Sequence, residues 1–373
     1  MSFKAIADDW MVIIDASIQM GEQKCLLVFG CRQSNLPRGR APALQDFEIL
    51  GLRIVSKLNA NIITQMLLKI ASRVGKIASI CSDRGSDMVR GVKDFKLINP
   101  LIRLICDTAH RVANLLEAVL EKSERWKKFR DQVTLSRRKM QNSLVAGALP
   151  PSPRTKARYM NVGSLIEWAA DMLILLDCGD STPELDIVEL RKYLEWLPNY
   201  RDDICYWNKL VSLGVAARQL VRTEGIHEDL VDHFEQSISA IPIGAKELEF
   251  ANEISLFLLE QSQGLKPGDR FIGSTEALES FFGKFKSMEH EQTAFGFTSL
   301  VLAAAACVGP TDEKTIEEAI KSIKLSDIDN WTKEEIGATI QSKRGAIKQI
   351  VKRLKKKVSQ KVSGILEKVT VGF

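Results

Sequence analysis

Two aspartates stand where a carboxylate could do chemistry. Asp15 follows Val12, Ile13 and Ile14, and Asp83 follows Ile80, Cys81 and Ser82. Each closes a short apolar run of the kind that forms a buried strand, so each carboxylate emerges at a strand end. If the two strands are neighbours, the charges converge out of water, which is costly unless a cation lies between them. Hard oxygen ligands of this kind suit Mg²⁺ or Mn²⁺. A third carboxylate, Glu279, sits on a helix expected to begin near Ser274, and it can return to the sheet if residues 122–270 form an insertion. Three such groups can hold two divalent ions roughly 3.5–4 Å apart, one activating an attacking oxygen and the other stabilising the leaving oxygen in phosphoryl transfer. A general base is then less necessary, because the metal lowers the pKa of the attacking water or hydroxyl.

The elements that must position these groups follow from periodicity. Residues 10–17 and 23–32 read as a hairpin, and 47–55 as a third strand. Ile62, Ile63, Met66, Leu67 and Ile70 then recur at helical spacing. A strand over 76–82, a helix over 86–95, a strand over 101–106 and a helix carrying Val112, Leu115, Leu116, Val119 and Leu120 complete the series. The order β-β-β-α-β-α-β-α predicts an α/β domain, a mixed five-stranded sheet with helices on both faces, as in the ribonuclease H-like fold. From 122 to 270 strand alternation stops, and amphipathic stretches near 161–177, 185–197, 203–222 and 247–263 predict an all-helical insertion. Residues 275–308 read as a helix, a turn near Phe295 and Phe297, and an apolar Ala-rich helix. The predicted organisation is a catalytic domain split over 1–121 and 271–310, an insertion over 122–270, and a helical basic tail over 311–373.

Composition narrows the class. The 373 residues are 45% hydrophobic and 27% charged, the signature of a globular chain. No apolar run reaches the roughly 18–20 residues that span a bilayer, and the N-terminus lacks an apolar signal segment, so no membrane is expected and the cytoplasm is the expected compartment. The seven cysteines show no C-x-x-C pair and read as reduced, packed thiols. Net charge is +5 but segregated: residues 341–373 carry ten Lys or Arg against Glu367, and 122–158 carry eleven against Glu124 and Asp131. Polyanion binding, where it occurs, is therefore local.

Four stretches carry a resemblance: VIIDAS with Asp15, SDRGSDMVRGVKDF with Asp83, CDTAHRVANLLE with Asp107 and His110, and STEALESFFGKFK with Glu279. Together they resemble the DDE-type transposases of bacterial insertion sequences and, more distantly, the hAT superfamily. The resemblance implies metal-dependent DNA strand cleavage and strand transfer, with Asp15, Asp83 and Glu279 holding two Mg²⁺ or Mn²⁺ ions. It implies that Asp107 and His110, an acid and a histidine just past the fifth strand, support the active site. Glu279 and Lys286 match the family's Glu-x6-Lys spacing, which puts Lys286 on the same helix face and within reach of a DNA phosphate; Lys284 is the weaker alternative. In the insertion, Arg154, Lys156, Arg158 and Trp168 are candidates for DNA contact, with Trp168 able to stack on a displaced base. The implied partner is double-stranded DNA, element ends and target, bound by a homodimer in the nucleoid.

Blander readings stand beside these. A lone Asp after a strand is ordinarily a turn residue or helix cap. Glu276 competes with Glu279 but falls in the first turn, where the helix dipole alone favours an acid, as it does at Asp87. Trp168 equally reads as core, and His110 as an ordinary helix-start histidine. Asp15 lies too near the start for an N-terminal DNA-binding domain ahead of it. End recognition then falls to the basic insertion and tail or to another chain, and a catalytically silent DNA-binding regulator derived from a transposase is the alternative function. A structure-selective nuclease of the same fold is a third.

Overall fold

Alternation along the first strand decides which side of the sheet each residue serves. In the computed structural model, β1 (Ala7–Met20) sends Trp10, Val12 and Ile14 into one core and Met11 and Ile13 into another. It pairs antiparallel with β2 (Gln23–Arg32), which pairs antiparallel with β3 (Glu48–Val55). On its other side β1 runs parallel to β4 (Gly75–Ser82), and β4 to β5 (Arg103–Cys106). The strand order is β3-β2-β1-β4-β5, a mixed α/β sheet consistent with the ribonuclease H-like arrangement expected from the element order. The structure describes residues 6–20, 23–152, 159, 162–180, 182, 185–290, 302, 307–309, 313–336, 347–350 and 352–353.

One face is covered by α1 (Ala60–Val74) and α2 (Ser86–Ile98), through Ile63, Leu67 and Ile70 and through Met88, Val92 and Phe95. Gly75 closes α1 and opens β4 at φ 95°, and a Cβ there would lie 2.3 Å from the Ala7 carbonyl oxygen. Only glycine meets both demands. The other face carries α3 (Thr108–Leu120) and α10, the helix Glu276–His290. Phe281 of α10 stands edge-on to Phe29 of β2, with centroids 5.4 Å apart.

Between these come α4 (Glu124–Met140), α5 (Val162–Cys178), α6 (Ile187–Tyr193), α7 (Arg201–Glu224), α8 (Leu230–Ile238) and α9 (Ala245–Ser262). They add no strand to the sheet, and their core is continuous with that of the α3–α10 face. Gly214 lets α7 lie against α3, since a Cβ there would meet Val112 at 2.6 Å. Among the described residues no helix is long and apolar enough to cross a membrane.

Several sequence readings need correction. The basic stretch beginning at Lys122 starts with α4, whose Trp126, Phe129, Val133 and Met140 form a buried stripe. Trp126 packs edge-on to Trp207 at 4.8 Å, so this part of the basic stretch is half core, and its positive charge is confined to the outer side of α4. Cys178 and Cys205 are exposed, against the reading of uniformly packed thiols, while Cys25, Cys31 and Cys81 are buried. The expected turn near Phe295 and Phe297 lies outside the described residues, as does most of the basic tail. Phe281 is 1% exposed, so Phe281→Ala is expected to cost about 3–5 kcal/mol, read by denaturant unfolding. A loss below about 1 kcal/mol would show that α10 does not depend on this contact.

Candidate active site

Register brings the three aspartates level. Ile14 pairs with Ser82, and Ser82 with Cys106, so Asp15, Asp83 and Asp107 are the next residues on three adjacent strands. Asp83 and Asp107 lie just past the ends of β4 and β5, and Asp15, against the expected strand end, lies within β1, which continues paired with β2 to Met20. Parity does the rest. Each lies two residues beyond a member of the α10-side core, Ile13, Cys81 and Ile105, so the three acids belong to the face that α10 covers. Leu278, Phe281, Phe282 and Phe285 bury the inner side of α10, and Glu279 is half-buried beside them.

Asp107 is the anchor. Its side chain has no exposure, and both of its oxygens accept hydrogen bonds. Oδ1 accepts from the Ala109 amide at 2.8 Å, capping α3. Oδ2 meets His110 Nδ1 at 2.7 Å and accepts from the Thr275 hydroxyl. Thr275 sits immediately before α10, and its carbonyl receives the Leu278 and Glu279 amides. A second link, from the Thr108 amide to the Gly273 carbonyl at 3.0 Å, runs alongside. Thr275 was not singled out from the sequence; its signal is the Ser-Thr-Glu start of a helix.

The charges interact as one cluster. Burial, then the Asp83 carboxylate, push Asp15 up to about 6, against the Ala16 amide at 2.6 Å, which favours the ionised form. Burial and then Asp107 raise Glu279, with His110 opposing. The hydrogen bond to Asp107 lifts His110 to about 9, and the charges of Glu279 and Asp83 add to it. Four carboxylates thus face one imidazolium, a donor set that calls for further positive charge.

Which residues could hold it follows from free lone pairs. Among the described residues, the Glu279 carboxylate has no hydrogen-bond donor, and Asp15 and Asp83 each accept from one backbone amide through Oδ1. Asp107, His110 and Glu279 offer ligand atoms within 4.8 Å of one another, close enough for a single ion. Asp107 already accepts three hydrogen bonds, so the oxygens with most free lone pairs belong to Asp15, Asp83 and Glu279. Among the described residues that trio does not close to the single-ion spacing, and two ions roughly 3.5–4 Å apart need a wider set. The donor set fits hard divalent cations.

The remaining candidates are placed as follows. Glu276, the competitor of Glu279, is committed to Arg218 at 2.8 Å and Arg222 at 3.4 Å on α7. Lys286 is exposed two turns after Glu279. Lys284 instead lines a cavity of about 460 Å³ behind α10, with Arg222, Thr223, Arg270, Ser274 and Ser280. Trp168 is buried and donates its Nε1 hydrogen to the Ala148 carbonyl at 3.0 Å, so it follows the core alternative and presents no ring for stacking. Arg154, Lys156 and Arg158 lie outside the described residues.

No protein-family model matches the chain, and no curated protein matches it. Among solved structures, the Drosophila P element transposase strand transfer complex is similar at a TM-score of 0.33 and 11% identity, over 74% of this chain and 71% of that one.

Two pH dependences follow for the metal-free protein. Asp15 is raised from 3.8 to about 6, so the folded state keeps a proton that the unfolded chain releases, and stability falls as pH rises across that window. Asp15→Asn should therefore melt about 2 °C or more above the parent at pH 7 and level with it at pH 4, by calorimetry. Equal melting at both would remove the repulsion. His110 has the same sign in a higher window. Its pairing with Asp107 stabilises fully below 6.5 and is lost as pH rises through about 9, a loss that His110→Gln should abolish.

Proposed function

We propose that this chain is a DNA transposase, cleaving a DNA strand and joining it to target DNA by divalent-metal-dependent phosphoryl transfer. The observation that supports it best is the convergence, on one face of the sheet, of carboxylates with free lone pairs from two adjacent strands, β1 and β4, and from α10. In this reading Asp15, Asp83 and Glu279 hold two Mg²⁺ or Mn²⁺ ions, which when bound activate the attacking oxygen and stabilise the leaving one.

The chain's own groups do the positioning. Asp107 fixes the start of α10 through Thr275 and so sets where Glu279 stands. It also keeps His110 protonated near neutral pH, a fixed positive charge at the rim of the acidic cluster where a phosphate would approach. Lys286, exposed on α10, contacts the DNA backbone. Residues 1–121 and 271–310 form the catalytic domain, 122–270 its insertion and 311–373 the tail. Arg154, Lys156 and Arg158 add electrostatic attraction to DNA, and two copies pair two element ends on the nucleoid in the cytoplasm.

The test uses the purified full chain and duplexes drawn from the DNA flanking its gene. Nicking and joining that require Mg²⁺ or Mn²⁺ are expected, and Asp83→Ala or Glu279→Gln should each slow them by at least about 100-fold. Lys286→Ala should weaken binding and reduce the salt slope by about one. Cleavage without joining would replace the proposal with a nuclease. Salt-sensitive binding with no cleavage at any metal concentration would replace it with a DNA-binding regulator.

A further inference from the structure

Away from the acidic cluster, a carboxylate and two imidazoles meet at the corner where α7 gives way to α8. Glu224 is the last residue of α7, His227 follows the turn and His233 lies on α8. A single atom, Glu224 Oε2, lies 3.2 Å from His227 Nε2 and 2.7 Å from His233 Nδ1. The two rings stand at 62° with centroids 5.0 Å apart, and one ligand atom from each of the three residues lies within 4.8 Å of the other two. Ligands bonded to one tetrahedral ion at about 2.0–2.1 Å are themselves little more than 3 Å apart, and the two distances from Glu224 Oε2 bracket that spacing.

The backbone that presents them is tied down. Gly225 turns the chain at φ 78°, and Ile226 and Phe271 exchange two backbone hydrogen bonds, at 2.7 and 3.0 Å. Arg270 donates to the Glu224 carbonyl at 2.8 Å and to the Pro37 carbonyl at 3.3 Å. His227 is mostly buried, whereas Glu224 and His233 reach solvent, so the group is held from behind and open in front.

We propose that Glu224, His227 and His233 form a transition-metal site, selective for Zn²⁺ over Mg²⁺, with its fourth position open to water. Two neutral imidazoles with one carboxylate are nitrogen-rich, borderline ligands that suit Zn²⁺, whereas Mg²⁺ demands near-complete oxygen coordination. The bound ion replaces the two hydrogen bonds that Glu224 now makes. It clips α8 to the end of α7 and stiffens the segment that leads through Phe271 back to α10. The site shares no residue with the acidic cluster, so it stands or falls apart from the proposed transposase chemistry.

The test titrates the full-length chain, stripped by chelator, with Co²⁺ and then Zn²⁺, in a Glu279→Gln background that removes a ligand from the acidic cluster. One equivalent of Co²⁺ with the visible absorption of a tetrahedral nitrogen and oxygen site is expected, bleached by Zn²⁺ and not by Mg²⁺. His233→Ala and Glu224→Gln should each weaken binding on the order of 100-fold or more. His233 is exposed, so the circular dichroism and metal-free melting of His233→Ala should match the background, which separates ligand loss from misfolding. No Co²⁺ or Zn²⁺ uptake by the intact trio, or uptake undiminished in both variants, overturns the site.

Discussion

A carboxylate removed from solvent must find its hydrogen bonds inside the protein, and the position of Asp107 is set by that demand. It closes β5, caps α3, orients His110 and receives the hydroxyl of Thr275. One side chain thereby joins the sheet, the helix that follows it and a helix 168 residues further along. Without such an anchor, the face of α10 that carries Glu279 would be set by apolar packing alone, which fixes a helix's depth better than its rotation.

That anchoring explains how like charges are tolerated. Strand parity forces Asp15, Asp83 and Asp107 to the same side, and burial makes their mutual repulsion strong. Asp107 accepts three donors, two of them side chains. Asp15 and Glu279 do not, and their raised pKa values record a deficit of positive charge that His110 only partly fills. The fold has accepted an unfavourable cluster where β4 and β5 end beside β1. Native structures carry such local costs chiefly where a ligand relieves them.

Much of this was legible in the sequence because it rests on local pattern. The runs before Asp15, Asp83 and Asp107 are short, apolar and rich in β-branched or aliphatic residues, so strand identity could be read. Side-chain parity could not, because both faces of the sheet are buried and the runs do not alternate. Glu279 could be preferred over Glu276 from position in the first turn, and the pairing of Glu276 with Arg218 and Arg222 supplies the physical partner. The rest was hidden for identifiable reasons. Thr275 has a partner that no local window contains. The buried stripe of α4 is masked by the Lys and Arg between its members, and Trp168 sits near a basic run but on a helix whose other residues turn it inward. Glu224, His227 and His233 are near in sequence, yet only the Gly225 turn folds them onto one point.

The outer margin of β5 offers a last consequence. Its unpaired backbone is occupied by Gln261, whose side-chain oxygen accepts from the Cys106 amide at 2.9 Å, while Arg103 reaches the carbonyls of Gln261 and Gln263. An exposed sheet border is a template for stray pairing with another polypeptide. Here the cover is made some 155 residues after the strand it protects. During synthesis the ribosome therefore releases a nearly finished sheet whose β5 border stays uncovered until α9 has emerged. Nascent chains truncated before that helix are the species most prone to aggregate, and co-translational chaperoning matters most over that interval.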